Sequence, residues 1–442
     1  MGQQLLAGWG RTAFTQTEVS ECSVSEVQNL VKSSSKLIAR GLGRGYGDCA
    51  VSGGGITVVS TRWDERSFDE GVADVAAGTS LESLSHSTIP KGWFVPVTPG
   101  TRFVSVGGAV ASDIHGKNHH ADGTFGSHVR SLTVVTANGL ALDCSPTQNS
   151  ELFWATVGGM GLTGIITKAK FSLIPIETAF IRSETSRFGD LDSLMSAMII
   201  ADRKFRYSVA WIDMLAVGKK MGRSVLSCGD HAKLNELDSK PDDPLHYSAK
   251  QRVSAPKKVP GGLLNRTSVA AFNELWFQKS PRKNRLGIES ISSFFHPLDG
   301  VKNWNHIYGP SGFVQYQFVV PDESAHVIKH VIERFSSTKA PAFLSVLKRF
   351  GEQNLGMLSF PSKGWTLAVD VPTGVQGLAE LLDEMDEMIA SENGRIYLAK
   401  DSRMHPRYLH QMYPHLEEFR QVRAKYDPQG KFSSNLSRRL EV

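Results

Sequence analysis

The histidine-rich stretch at residues 111–130, ASDIHGKNHHADGTFGSHVR, carries the side chains best suited to chemistry. It contains three glycines, two carboxylates and four histidines, which are His115, His119, His120 and His128. His115 and His119 have the i, i+4 spacing of a helical metal-binding pair, but Gly116 and Asn118 lie between them and disfavour a helix. No cluster of carboxylates or thiolates supplies further ligands, so we predict no metal site. We expect His119, His120 and His128 to bond to backbone groups in a buried polar loop.

The run ARGLGRGYGD at residues 39–48 is the first of three glycine-rich turns. Its glycines alternate at positions 41, 43, 45 and 47, which differs from the G-x-G-x-x-G spacing of a Rossmann phosphate turn. Alternating glycines let successive backbone N–H groups converge on an anion, and Arg40 and Arg44 add positive charge. The run therefore suits a pyrophosphate.

Two further glycine-rich turns lie at residues 99–116 and 158–165. The first begins a helix near Ser105, and the N terminus of a helix is a second anion-binding element. Gly107 and Gly108 allow a flat or phosphorylated ligand to approach the backbone closely. Each turn taken alone is more often a simple tight corner than a binding site. In combination they predict a dinucleotide held by two loops without a Rossmann fold.

Short strands and helices alternate around these turns. SVSEVQNLVKSSS has helical spacing with Ser23 or Ser25 as the cap, and LTVVTANGLALD reads as a hairpin that turns at residues 138–139. GFVQYQFVVP is a strand in which Gln315 and Gln317 share one face, and GLAELLDEMDEMIA is an amphipathic helix. Many strands with interspersed helices predict the α+β class.

Length and composition limit the remaining possibilities. A chain of 442 residues exceeds the size at which one core stops growing, which favours two domains. No apolar run approaches the roughly 20 residues of a transmembrane helix, and the first residues lack a secretion signal, so we expect a soluble protein made in the cytoplasm. The four cysteines form no C-x-x-C pair. A mild net charge of +5, spread along the chain, disfavours nucleic acid and is compatible with an anionic membrane surface or a phosphorylated substrate.

Motifs along nearly the whole chain are similar to those of the FAD-dependent oxidases of the vanillyl-alcohol-oxidase type. These motifs are GWGRTA, ARGLGRGYGD, PGTR, VGGA, DIHGKNHH, FGSHVRS, ELFWATVGG, GLTGII, FHPLD, YGPSGFVQYQF, YLAKDSR and RRLE. DIHGKNHH and AKDSR resemble the members of that family that act on a lipid-linked ribose. The resemblance implies a two-domain flavoenzyme, with an FAD-binding domain at residues 1–179, a substrate-binding domain built on an antiparallel sheet at 180–395, and a segment at 396–442 that returns to the FAD-binding domain.

The resemblance also implies that FAD is bound non-covalently, although some relatives attach it through a histidine in a turn like that of His115. The residues implied to contact FAD lie in three turns and at two separate positions. Around the pyrophosphate they are Ala39, Arg40, Gly41, Leu42, Gly43, Arg44, Gly45, Tyr46, Gly47, Asp48 and Cys49. Elsewhere they are Gly100, Ser105, Val106, Gly107, Gly108, Ser112, Asp113, Ile114, His115, Ile166 and Tyr397.

Lys400 is implied to lie beside the flavin and the sugar, where it orients the sugar hydroxyl or, with a pKa depressed by burial, takes its proton. Stabilising the charge of reduced flavin and pairing with Asp401 at the surface are its alternative roles, and Tyr46 and His115 are competing proton acceptors. The implied substrate contacts are Lys117, Trp211, Phe295, Gln315, Gln317 and Lys348. Ala368 stands where relatives place a cysteine near the ring, which affects thiol-directed reactivity only.

The implied activity is oxidation of the 2′-hydroxyl of a polyprenylphosphoryl ribose to a keto sugar. A separate nicotinamide-dependent reductase would then complete the epimerisation to an arabinose donor for cell-wall arabinan. A lipid substrate requires an opening toward a membrane, which we predict at residues 230–262 with the basic PRKNR at 281–285. The expected location is the cytoplasm or a membrane periphery, with the periplasmic face also open. The alternatives are a carbohydrate or alditol oxidase that uses oxygen, and a flavin-binding protein without catalysis.

Overall fold

The computed structural model describes most of the chain and confirms the α+β class, since helices pack on sheets whose strands are mostly antiparallel. The described residues are 2–237, 241–251, 253–256, 259–282, 284–338 and 340–442. Parts of the predicted membrane opening, at residues 238–240, 252, 257–258 and 283, lie outside the described residues.

The first 175 residues form strands of three separate sheets. Strands β1 to β11 are, in order, Gly2–Ala7, Phe14–Ser20, Leu37–Arg40, Ile56–Val59, Arg66–Asp69, Val72–Ala76, Trp93–Phe94, Val129–Val135, Ala141–Cys144, Ile165–Ser172 and Ile174–Pro175. The first sheet has the order β1-β2-β4-β3, the second β5-β6-β10-β8-β9, and β7 pairs with β11. Strands β8 and β9 form the predicted hairpin.

One large antiparallel sheet dominates the residues that follow. Strands β12 to β21 are Phe180–Phe188, Tyr207–Ile212, Ser224–His231, Val253–Ser254, Arg285–Ser290, Val301–Lys302, Phe313–Val320, Ser345–Phe350, Gly364–Pro372 and Arg395–Ile396. Eight of them pair in the order β16-β12-β14-β13-β19-β20-β18-β21, and β15 pairs with β17 in parallel.

Among the described residues, six helices have ten residues or more, namely α1, α6, α7, α9, α10 and α12, and the others are shorter. Helices α1 to α13 are Val24–Ser33, Leu81–Thr88, Val106–Ala111, His119–Asp122, Ser150–Thr156, Leu191–Asp202, Arg266–Lys279, Ile291–Phe295, His326–Ser337, Leu378–Ser391, Leu409–Met412, Leu416–Tyr426 and Asn435–Leu440. Ser23 is the N-cap of α1, as predicted. Ser105 is the N-cap of α3, and its hydroxyl accepts a hydrogen bond from the N–H of Gly108. Among the described residues, no helix is long and apolar enough to cross a membrane.

The two faces of the large sheet have different roles because side chains alternate along each strand. Tyr316 and Phe318 of β18 belong to the apolar core, together with Leu367 of β20 and the buried side of α9 and α10. The intervening residues Gln315 and Gln317 face the other way and confirm the prediction that they share one face. This second face lies toward the N-terminal loops.

The last residues of the chain return to the first sheet. Phe432 forms a parallel bridge with Leu37, and the ammonium group of Lys431 donates to the carbonyl oxygens of Val31 and Ala137 at 2.8 and 2.9 Å. The C-terminal segment thereby closes over α1 and β3. The exact division of the chain at residues 179 and 395 stays a prediction.

Candidate active site

The glycine run at 41–48 packs directly against the turn at residues 397–401. The N–H of Tyr46 donates to the carbonyl oxygen of Ala399 at 2.8 Å. A Cβ atom at Gly47 would lie 1.7 Å from the carbonyl oxygen of Asp401, so only glycine permits this close approach. The motifs GLGRGYGD and YLAKDSR, which are far apart in sequence, therefore form one unit in the fold.

Arg439 joins the same two motifs from the C-terminal helix. Its guanidinium pairs with Asp48 at 3.0 Å and with Asp401 at 2.9 Å. The surface pair of Lys400 with Asp401, which the sequence left open, is not formed because Asp401 is occupied by Arg439. Sequence reasoning noted the RRLE motif but assigned Arg439 no role, since nothing local indicates which carboxylates it reaches.

The backbone of the glycine run has the properties of an anion nest. Among the described residues, no acceptor lies within hydrogen-bond distance of the N–H groups of residues 42–45. Gly43 has a φ of +65°, in the left-handed region that such nests require. A Cβ atom at Gly41 would meet the hydroxyl of Ser105 at 2.0 Å, so the N terminus of α3 adjoins the run. These free donors fit the pyrophosphate of a dinucleotide.

The two arginines of the run make different contacts. The guanidinium of Arg40 turns back on the chain and donates to the carbonyl oxygens of Ala7 at 2.8 Å and Ala50 at 3.4 Å. The guanidinium of Arg44 instead lies 3.8 Å from the ring centroid of Trp9. Arg40 therefore stabilises the run itself, while Arg44 extends away from it.

The turn before His115 is held by a buried carboxylate. Asp113 accepts hydrogen bonds from the N–H of Gly126 at 2.9 Å, the amide of Asn354 at 2.8 Å and the hydroxyl of Ser359 at 2.5 Å. Burial raises the pKa of Asp113, and these donors oppose that shift. The hydroxyl of Tyr397 donates to the carbonyl oxygen of Ser112 at 2.8 Å. The turn at 112–115 is thus fixed by Gly126, by the predicted contact Tyr397, and by Asn354 and Ser359, which sequence reasoning did not identify.

The imidazole of His115 is buried among aromatic rings and has one free nitrogen. The amide of Gln317 donates to its Nε2 at 2.9 Å, so the proton of the neutral ring resides on Nδ1. Among the described residues, Nδ1 has no partner. Burial, aided by the charges of Lys348, His119 and Lys400, holds the pKa of His115 well below its usual range. A neutral imidazole that offers one N–H to a ligand is the result.

The other three histidines bond to backbone groups, as predicted. His119 accepts from the N–H of Gly351 at 3.1 Å, and its pKa is lowered by burial to about 3. His120 and His128 contact the carbonyl oxygens of Phe205 and Asp122 at 3.0 and 2.9 Å. Within the described part of the chain, no group of three or more His, Cys, Asp or Glu side chains could hold a metal ion.

The site-facing side of the large sheet is a wall of aligned residues. Gln317, Ala368, Val346 and Trp211 form one row across four strands, since each is paired with the next in register. In the next row Lys348 lies opposite Thr366. Burial lowers the pKa of Lys348 to about 8. The register thus unites the predicted contacts Gln317, Trp211 and Lys348 on one surface.

Lys400 and Asp370 form the charged centre of this wall. Asp370, fully buried opposite Gln315, accepts from the Gln315 amide at 2.5 Å and from the Tyr308 hydroxyl at 3.3 Å. Burial lowers the pKa of Lys400, and the negative charge of Asp370 partly offsets this change. Burial raises the pKa of Asp370. The hydrogen bond from Gln315 and the positive charge of Lys400 partly offset that increase. The ammonium nitrogen lies 3.6 Å from the ring centroid of Tyr46.

The three predicted catalytic residues differ in their ability to accept a proton. Burial raises the pKa of Tyr46 well above its usual value, so its phenol keeps its proton and acts as a donor. His115 has its free nitrogen already protonated. Lys400, with a lowered pKa, is the group that exists as a neutral amine most readily near neutral pH.

Three further predicted residues lie at the edge of the site or in the core. The ammonium group of Lys117 donates to the carbonyl oxygen of Phe294, and burial lowers its pKa to about 7. Phe295 is nearly fully buried in a cluster with Phe94 and Tyr207, and its nearest link to the site is Lys117. Ile166 is a core residue of β10. The structure does not place Phe295 or Ile166 beside Lys400.

Two family models match the chain at its ends. The FAD binding domain model covers residues 19–145, and the model of D-arabinono-1,4-lactone oxidase covers residues 367–440. The first contains the glycine run and the histidine loop, and the second contains Asp370 and Lys400. The protein is therefore an FAD-binding oxidoreductase, which confirms the predicted cofactor, enzyme class and two-domain flavoenzyme fold.

Relatives define the family more closely. The chain is 42% identical over 451 residues to decaprenylphosphoryl-beta-D-ribose oxidase of Mycolicibacterium smegmatis, which covers 99% of this chain and 97% of the relative. The chain belongs to the family of that oxidase. It is also 37% identical over 372 residues to an uncharacterized protein in the mprA 5′ region of Streptomyces coelicolor, over 82% of this chain and 99% of the relative. Cytokinin dehydrogenase 2 of Arabidopsis thaliana is 36% identical over 144 residues, or 32% of this chain.

Proposed function

We propose that this protein oxidises the 2′-hydroxyl of decaprenylphosphoryl-β-D-ribose, or of a similar polyprenylphosphoryl ribose, to the 2′-keto sugar. The name of the Mycolicibacterium relative supports the substrate class. The observation that carries the proposal is the position of the Lys400 ammonium nitrogen, 3.6 Å from the ring centroid of Tyr46 and near enough to the fully buried Asp370 for their charges to interact, because a secondary alcohol needs a proton acceptor at its hydroxyl.

The residues that would hold FAD are the free N–H groups of the glycine run, the N terminus of α3 and the turn fixed by Asp113. When bound, FAD supplies the acceptor for the hydride that leaves the carbinol carbon. Non-covalent binding is part of the proposal, and it is supported by the engagement of His115 Nε2 with Gln317. The remaining nitrogen of His115 is free to donate a hydrogen bond to a ligand.

In this proposal the neutral amine of Lys400 accepts the hydroxyl proton at Nζ. The ring of Tyr46 lies against Nζ of Lys400, and its hydroxyl stays protonated because burial raises its pKa. Asp370 stabilises the lysine once it is charged, and the amide of Gln315 keeps Asp370 in place. Lys348 adds positive charge to the same wall, and its half-buried side chain excludes some water from the site.

The function is tested by adding a polyprenylphosphoryl ribose to the purified protein under anaerobic conditions and recording the flavin absorbance. Loss of the flavin absorbance together with a product lighter by two hydrogens supports the proposal. An unchanged spectrum contradicts it. The second candidate is a carbohydrate or alditol oxidase that uses oxygen, which the match to the lactone oxidase model at 367–440 favours. Steady hydrogen peroxide production with a free sugar alcohol would select that candidate.

The oxidised sugar requires a second enzyme if an arabinose donor is to result. A separate nicotinamide-dependent reductase would deliver a hydride to the opposite face of the ketone and complete the epimerisation for arabinan synthesis. The isolated protein should release only the ketone, and the arabinose epimer should form only when the reductase and reduced nicotinamide are added. Formation of the epimer by the isolated protein would contradict this division of labour.

A lipid substrate also requires contact with a membrane, and we place this contact at helix α7. Its residues Phe272, Leu275 and Trp276 are 37%, 72% and 43% exposed, and Lys279 and Arg282 follow at its end. The ring of Phe272 lies 4.9 Å from that of Phe343, whose N–H donates to the Asp370 carbonyl oxygen. An apolar helix face with basic residues is typical of an interfacial helix. The protein would bind peripherally, at the cytoplasmic or the periplasmic face.

A further inference from the structure

The side chain of Arg44 is held in place by aromatic rings and forms no ion pair with a carboxylate of the described residues. Its guanidinium lies 3.8 Å from the ring centroid of Trp9 and 5.3 Å from that of Phe103. Among the described residues, no acceptor lies within hydrogen-bond distance of this guanidinium, and its Nε is buried without a partner. Aromatic rings fix the orientation of the guanidinium and leave its in-plane donors free.

The two carboxylates whose charges reach Arg44, Asp299 and Glu82, form no hydrogen bond with it and are bonded to Arg102 instead. Asp299 accepts from the hydroxyl of Thr101 at 2.7 Å and from the backbone N–H of Arg102 at 2.8 Å, and it also pairs with the Arg102 guanidinium. Glu82 pairs with Arg102 at 3.2 Å. A partly desolvated guanidinium without an anion is costly, which indicates that a ligand completes the site.

Arg44 adjoins the sugar site through an aromatic cluster that consists of Trp9, Tyr46, Trp304, Tyr308 and Phe313. Tyr46 of this cluster lies under the ammonium group of Lys400, and Tyr308 bonds to Asp370. Half-buried apolar side chains continue from the cluster, namely Leu264, Leu298, Ile307, Phe343 and Leu344. Arg44, the rings and the apolar side chains are therefore contiguous with one another and with Lys400.

We infer that the guanidinium of Arg44 binds the phosphodiester of the lipid-linked sugar and so selects that substrate over free sugars. This inference rests on the proposed function. A planar guanidinium can hold two phosphate oxygens at once, which a sugar hydroxyl cannot match. The backbone N–H groups of residues 42–45 remain with the pyrophosphate of FAD, while the side chain of Arg44 serves the substrate.

The test compares the unaltered protein with the variants Arg44→Gln and Arg44→Lys, and with Arg62→Gln as a control, because Arg62 is exposed and forms a surface ion pair with Glu21. The substrates are farnesylphosphoryl ribose and the uncharged farnesyl riboside. Arg44→Gln should raise KM for the phosphorylated substrate about 10- to 100-fold, as expected for a lost charge-assisted hydrogen-bond pair. Arg44→Lys should raise it less, and neither should change KM for the uncharged riboside or the flavin content.

Two results would overturn the inference. One is an unchanged KM for farnesylphosphoryl ribose in Arg44→Gln. The other is loss of FAD from this variant with an unchanged KM in the fraction that retains FAD, which would assign the guanidinium to the cofactor pyrophosphate. If the unaltered protein oxidises neither substrate, the proposed function fails, and equilibrium binding of farnesyl phosphate still tests Arg44. Equal dissociation constants for the unaltered protein and Arg44→Gln would then reject the inference.

Discussion

The cofactor side and the substrate side of this site consist of different chemical groups. The cofactor side consists of backbone groups, with free N–H groups at residues 42–45 and close approaches that only glycine permits. The substrate side consists of side chains aligned across β-strands, such as the row of Gln317, Ala368, Val346 and Trp211. Backbone binding sites tolerate little change in shape, whereas the chemistry of a side-chain wall can change one residue at a time.

This difference predicts that substitutions on the two sides impair different properties of the protein. A change that displaces the backbone of the glycine run should release FAD and leave the remaining chemistry intact whenever FAD is retained. A change on the sheet should leave FAD bound and slow its reduction. The predictions below follow this division from the largest expected effect to the smallest.

Lys400→Met should produce the largest loss. We expect the rate of flavin reduction by farnesylphosphoryl ribose to fall about 10²- to 10⁴-fold, since that is the usual contribution of a proton acceptor. Stopped-flow absorbance measures this rate, and flavin content should stay normal. Lys363→Met is the control, because Lys363 is exposed and forms a surface ion pair with Glu352. A normal rate in Lys400→Met would remove the lysine from the mechanism.

Gly47→Ala tests the cofactor side. An added methyl group would meet the Asp401 carbonyl oxygen at 1.7 Å and push the glycine run from the turn at 397–401. We expect FAD affinity to fall about 10- to 100-fold, which corresponds to an overpacking cost of roughly 1–3 kcal/mol. Fluorescence titration of apoprotein with FAD measures the affinity. Gly189→Ala should bind FAD normally because no atom lies within 4 Å of the new methyl group.

The pH profile distinguishes the two roles of Lys400. A lysine that accepts a proton must be neutral, so flavin reduction should become faster as the pH rises through its lowered pKa. A lysine that only stabilises negative charge must be protonated, and the rate would then fall over the same range. Asp370→Asn removes the charge that raises this pKa, so the rising limb should move to lower pH by about 1 unit. A limb that does not move would separate Asp370 from Lys400.

Leu275→Ser should have the smallest effect and should not alter the site. This side chain is 72% exposed on α7, and its loss should weaken binding to anionic lipid vesicles about threefold to tenfold, the effect of roughly 1 kcal/mol. Vesicle co-sedimentation measures the binding. Leu355→Ser is a matched control, since Leu355 is also 72% exposed but lies outside α7. Equal losses in the two variants would argue against α7 as the membrane contact.

The sequence predicted the features that depend on local spacing better than those that depend on contacts between distant segments. Gly47, Ser105 and the shared face of Gln315 and Gln317 depend on neighbours within a few residues, so spacing alone indicates them. Asp370 and Arg439 depend on strand register and on the return of the C-terminal segment, which local spacing does not encode.

One missed residue did leave a signal. In GWTLAVDVP, Asp370 is a charged residue in an apolar strand, and its spacing places it on the same face as Thr366 and Ala368. Such a charge points either to solvent or to a functional site, and the alternation aligns it with the position that relatives fill with cysteine. The roles of Asn354 and Ser359 in holding Asp113 left no comparable signal, because both lie in irregular segments.

The most direct test of the central claim is a comparison of deuterated substrates in anaerobic flavin reduction. Farnesylphosphoryl ribose with deuterium at C2′ should bleach the flavin several-fold more slowly than the unlabelled compound, because the C2′–H bond is the one that breaks. Deuterium at C3′ should leave the rate unchanged. A slow step with the C3′ label, or no bleaching with either compound, would contradict the assignment of this protein as a 2′-oxidase of a lipid-linked ribose.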